Sequence, residues 1–278
     1  MSAPITTHSR EPLQPILTAH LFPKVDGLLL ELLRSLAPEE WEKQTVSPKW
    51  KVKDVAAHLL DTPLRGLSIA RDGYFPPAPK LDSPAALGAY IDRLNAEGVA
   101  VYRRLSPAVL IALMEIVPMA PYGVSWAGED KSANWFDTAR EYTERWHHQQ
   151  QIRLAVPRLG NARTGIMKRE LYYPVLDCFM RALPFTYRNV SAAPGTAIRI
   201  VVSGECGGSW HLYGGETKWV LTEDDAGQAA AETTLPQEIA WRIFTKGIDR
   251  ERALSQVRVS GDRALALPVL GMVSIVSA

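Results

Sequence analysis

The chain has 278 residues, 46% of them apolar and 22% charged, which is about twice a common domain length and reads as a globular protein of two domains. Its 31 Lys and Arg against 30 Asp and Glu leave a net charge of +1, which gives no support to phosphate-driven nucleic-acid binding. Two cysteines without C-x-x-C spacing, Cys178 and Cys206, exclude a disulfide-stapled module and a Cys-rich zinc site. The start MSAPITTHSREPLQ has no signal-peptide apolar core, and the tail Ala264–Ala278 is too short and too broken by Pro268 and Gly271 to span a bilayer. The expectation is a cytoplasmic protein with no membrane and no nucleic-acid partner, a monomer or homodimer.

Apolar spacing predicts a first helix over residues 16–36, interrupted near Pro23. A second begins near Val52, with Val55, Leu59 and Leu60 in its apolar stripe and Asp54 at the positive end of its dipole; Pro63 should kink or end it. The proline-rich YFPPAPKLDSP is a loop. A helix follows from Pro84 to Leu105, a short one runs through Met114, and a long Gly- and Pro-containing stretch holds Trp126 and Trp135 as pocket-wall candidates. Further helices are expected over Phe136–Val156 and Lys168–Tyr187. The texture then changes to short β-type runs, AIRIVVSG, SWHLYGG, KWVLTED and AAAETTLP. Two helices (PQEIAWRIFTKG, DRERALSQ), a last strand (VRVSG) and a terminal helix over 262–276 complete the reading. The fold class is α+β: a helical domain over 1–190 and a small α+β domain over 191–278.

The informative constellation is Glu144-Arg-Trp-His-His148. Glu144 and His148 stand at i and i+4 on one helix face and can share a divalent metal, whereas His147 is rotated by about 100°. Taken alone, such a pair is more often a solvated intrahelical ion pair. His58, on an otherwise apolar helix, fits either a core histidine with a backbone partner or a third ligand. If the two helices pack together, His58, Glu144 and His148 form a two-His, one-carboxylate site. Cys178 reads as a buried structural thiol, and His211 as a strand residue facing solvent or an interdomain seam. Arg181 and Arg188 share the helix leading to the second domain and fit either a solvated face or an anion contact. No Ser–His–Asp triad can be assembled.

Trp50-Lys-Val-Lys-Asp54-Val-Ala-Ala-His58-Leu resembles the W-x-V-x-D-V-x-x-H-L element of the mycothiol-dependent maleylpyruvate isomerase family, a branch of the DinB-like metal-binding bundles. Glu144-Arg-Trp-His-His148-Gln-Gln-Gln151-Ile-Arg resembles that family's E-x-W-x-H-x-x-D-I-R element. Arg181–Arg188, Ala240–Thr245 and Val257–Ala266 are similar to its later segments, so the resemblance spans nearly the whole chain in order.

The resemblance implies an N-terminal DinB-like four-helix bundle followed by a sterol-carrier-like α+β domain. It implies His58, Glu144 and His148 as ligands to a divalent metal, zinc first, with nickel or iron also compatible. It further implies mycothiol or another low-molecular-weight thiol, cis–trans isomerisation by thiolate addition, and arginines holding a small diacid, for which Arg188, Arg242 and Arg258 are the candidates. Gln151 and Trp126 are the expected cofactor contacts. Gln151 stands where the family has Asp, and Lys51 where it often has a Ser or Thr cap. Two other functions stay open: a DinB-type metal hydrolase or thiol S-transferase, and a carrier of apolar ligands.

Overall fold

The computed structural model describes residues 13–117, 134–159, 165–223 and 227–272. Trp126 lies outside these residues. The architecture is α+β, a helical N-terminal region followed by a mixed five-stranded sheet with its own helices.

Helix α1 (Phe22–Arg34) carries Pro23 in its first turn rather than being broken by it, because a proline there gives up only an N–H that has no intrahelical acceptor. Val25, Leu29, Leu32 and Leu33 form its buried face. In α2 (Val52–Gly66) the Asp54 carboxylate accepts the backbone N–H of Lys51 at 3.0 Å and the guanidinium of Arg103 at 2.8 Å, so the acid at the third position closes the helix start. Of the kink or end expected at Pro63, the end does not occur: α2 runs through it and continues as a π-helical turn over Leu67–Arg71. Helices α3 (Pro84–Tyr102) and α4 (Pro107–Ile116) are capped by Ser83 and Ser106, whose hydroxyls accept from Ala86 and Val109. Gly98 lets α3 lie close on α2, since a Cβ there would collide with the Asp61 carboxylate.

Helix α5 (Asn134–Ala155) is the spine of the molecule, packed by α1, α2 and α6 (Arg169–Met180). The expected helix over 168–187 divides, because the chain breaks at Arg181–Ala182 ahead of Pro184 and restarts as the single turn α7 (Leu183–Thr186). Five strands follow: β1 (Ala197–Ser203), β2 (Gly208–Gly214), β3 (Trp219–Thr222), β4 (Ala231–Pro236) and β5 (Arg258–Gly261). Their spatial order is β3-β2-β1-β4-β5, with β1 and β4 parallel in the register Ile198↔Ala231 and the other pairs antiparallel. Between β4 and β5 lie α8 (Gln237–Phe244) and α9 (Arg250–Leu254). The described part of the expected terminal helix is one turn, α10 (Arg263–Ala266), and a 3-10 turn over Leu267–Gly271. His211 is buried in β2, not solvent-facing, because both faces of that strand are covered from Trp210 to Gly214.

Two apolar clusters flank α5. One unites Trp146, Tyr172 and Phe179 with the inner sheet residues Ile198, Ile200 and Leu212 and with Trp241 and Phe244 of α8. There Trp146 stacks on Tyr172 at 4.2 Å, and the Tyr172 hydroxyl donates to the Gln237 carbonyl at 2.8 Å, tying α6 to the start of α8. The other gathers Leu29, Leu33, Val52, Leu60, Leu110 and Ile152. Between them α5 buries an unusual polar set, including Glu141, Arg145, His147, His148 and Gln151. Burying such groups is costly unless each is paired, so this stripe marks where packing alone does not account for the sequence.

Candidate metal centre

Three side chains of α2 and α5 converge. One ligand atom each of His58, Glu144 and His148 lies within 4.8 Å of the others. The i, i+4 spacing brings His148 Nε2 to 3.3 Å from Glu144 Oε2, and the packing of α2 against α5 brings in His58, its ring 4.8 Å from that of His148. Trp50, just ahead of α2, covers both imidazoles at 4.7 and 5.8 Å between centroids.

The electrostatics suit a cation. Burial, joined by the charges of His148 and Arg65, holds the His58 imidazole well below its usual pKa, so it is neutral. Burial pushes Glu144 up, but His147 and His148 outweigh it, and the carboxyl sits below its usual range as an anion. His148 Nδ1 lies 2.8 Å from Gln151 Oε1; with the proton on Nδ1 donated to that oxygen, the Nε2 lone pair faces Glu144. His58 Nδ1 is buried with no hydrogen-bond partner among the described residues. An orphaned imidazole nitrogen beside a second imidazole and a carboxylate is a donor set of two imidazoles and one carboxylate, which fits a divalent metal of the zinc, iron or nickel kind.

Neighbouring groups complete the picture. His147 does not join the three: its Nδ1 donates to the Thr143 carbonyl at 3.3 Å, its ring packs on that of His148, and burial pushes its pKa down to about 3. Glu141, one turn before Glu144 and buried, is pushed up to about 8 by burial and by the Glu144 charge. The guanidinium groups whose charge reaches this cluster are Arg65, Arg140 and Arg145. Sequence reasoning missed all three, although Arg65 follows His58 by two helical turns on the same face and Arg140 precedes Glu144 by one.

The other expected site residues lie elsewhere. Arg188 follows α7, donates to the Phe185 carbonyl at 2.7 Å and sits over the Phe185 ring. Arg242 is on α8, 3.3 Å from the Gly247 carbonyl, and Arg258 is exposed at the start of β5. Gln151 contacts His148, and it offers an uncharged amide acceptor at the position where the resembled element has Asp.

Residues 23–153 match the family described as the mycothiol maleylpyruvate isomerase N-terminal domain. No curated protein matches the chain. A solved mycothiol-dependent maleylpyruvate isomerase is similar over 87% of this chain and 90% of its own at TM-score 0.48 and 14% identity. A histidine-to-alanine mutant of such an enzyme is similar at the same coverage and TM-score with 13% identity. Among the described residues, no helix is long and apolar enough to cross a membrane.

Proposed function

We propose that the protein, whose residues 23–153 match the mycothiol maleylpyruvate isomerase N-terminal domain family, is a metal- and low-molecular-weight-thiol-dependent isomerase or transferase, with cis–trans isomerisation of a small unsaturated diacid as its reaction. The observation that carries this reading is the convergence of His58, Glu144 and His148 inside the matched segment. On this reading those three residues hold the metal, and the helices around α5 form a DinB-like bundle.

A divalent metal at this position supplies Lewis acidity that lowers a thiol pKa, so that a thiolate is present near neutral pH. The rest is the work of the chain. Gln151 keeps the His148 proton on Nδ1 and so keeps Nε2 available. Trp50 shields both imidazoles from water. Arg65 and Arg140, ion-paired with Asp61 and Asp137, are the arginines whose field reaches the site, and the carboxylates of a diacid would be drawn toward them. In the reaction the thiolate sulfur adds to one carbon of the substrate double bond and the π electrons move into the adjoining carbonyl system. Rotation about the resulting single bond and expulsion of the sulfur restore the double bond in the trans form. The thiol is returned unchanged, so no oxidant or reductant is required.

The test is isomerisation of maleylpyruvate by zinc-loaded protein, with and without mycothiol. Turnover that needs both metal and thiol is expected. A zinc-loaded protein that leaves maleylpyruvate unchanged but transfers the thiol to, or hydrolyses, another electrophile would replace the isomerase by a DinB-type transferase or hydrolase.

A further inference from the structure

Pro63 sits inside α2 and has no N–H to give the carbonyl four residues back, that of Leu59. That carbonyl is not left bare. Arg145 of α5 donates from Nη1 to it at 3.1 Å in a buried contact, and Arg145 Nε lies 3.1 Å from Asp26 Oδ1 of α1. One nearly buried guanidinium thus joins three helices. Its two attachment points on α2 and α5 are the immediate chain neighbours of proposed metal ligands: Leu59 follows His58, and Arg145 follows Glu144.

We propose that Arg145 is a positioning residue of the metal centre, setting the register of α2 against α5 through the carbonyl that Pro63 leaves free, and with it the separation of His58 from Glu144. The inference rests on the reading of His58, Glu144 and His148 as a metal site. In this role Arg145 acts through the backbone of α2 and α5 rather than as a ligand. A bare electrostatic role gives the opposite sign. A guanidinium near the site repels a divalent cation, so its removal should then tighten metal binding. A positioning role predicts weaker binding on removal.

The experiment titrates metal-free protein with Co(II), following the dissociation constant and the visible absorption of the bound ion. Wild type, Arg145→Lys, Arg145→Met, Pro63→Ala and the Pro63→Ala/Arg145→Met double variant are compared. Arg145→Met is expected to weaken Co(II) binding by roughly tenfold, in the range found when supporting partners of metal ligands are removed, and to shift the absorption bands. Arg145→Lys keeps the charge beside Asp26 but not the fork geometry, so it should also bind more weakly, and it decides the question if Arg145→Met does not fold. Pro63→Ala returns an N–H to the Leu59 carbonyl, so in that background Arg145→Met should cost less than it does alone. Unchanged or tighter Co(II) binding in folded Arg145 variants overturns the positioning role alone. A wild type that takes up no Co(II) overturns the metal reading beneath it.

Discussion

Replacing Gln151 by Leu removes the acceptor 2.8 Å from His148 Nδ1 while keeping a side chain of similar size in a buried position. Its cost should fall on the metal-loaded state. Without metal, His148 can move its proton to Nε2 and donate it to Glu144 Oε2, 3.3 Å away. With metal on Nε2 the proton must stand on Nδ1, and in the variant that N–H is buried with nothing to accept it. Such a group costs about 1–3 kcal/mol, which is about 5- to 150-fold in metal affinity. Gln151→Asp should act in the other direction by a few-fold, because a charged acceptor makes a stronger bond than an amide oxygen. Competition titration with a zinc chelator measures both. A Gln151→Leu protein that folds and binds zinc as tightly as wild type would refute the tautomer argument.

Two pH effects follow in the metal-free protein. The His58 and His147 imidazoles are depressed by burial, His147 to about 3, so the unfolded chain binds more protons below its ordinary histidine pKa. Their share of stability is complete above about pH 6.5 and is lost as pH falls toward the folded values, which urea unfolding at a series of pH values would show as a falling midpoint. Stability that held constant from pH 7 to pH 4 in such a series would argue against buried neutral histidines. Glu141 has the opposite sign: its carboxyl is raised to about 8, so its contribution is present at low pH and lost as pH rises through that value. Glu141→Gln should therefore gain on wild type by an amount that grows between pH 5 and pH 9, on the order of a few kcal/mol, and a gain independent of pH would contradict a protonated Glu141.

The site was partly legible because two of its three groups are local. Glu144 and His148 share a helix face by spacing alone, whereas His58 lies 86 residues before Glu144 and joins them only through the packing of α2 on α5, which no periodicity encodes. The helices and strands largely followed their apolar spacing and caps; two departures are local, at Pro23 and Pro184, and the others arose where a distant group decides a local outcome. Helix α2 passes Pro63 with Arg145, far along the chain, donating to the freed carbonyl. Of the two readings of His211, the solvent-facing one fails because β2 is covered on both faces, a property of the assembled sheet. The arginine assignments failed to find Arg65, Arg140 and Arg145 for the same reason. An arginine in a helix reads as a solvated face until its neighbours are known, and Arg145 is almost wholly enclosed.

The most direct test of the account is the metal content of wild-type and His58→Ala protein, each stripped, reloaded with zinc and measured by elemental analysis. About one zinc per wild-type chain is expected, lost in the variant, with the helical circular dichroism of both intact. Equal zinc in the two proteins, or none in wild type, would contradict the assignment of His58, Glu144 and His148 as one metal centre.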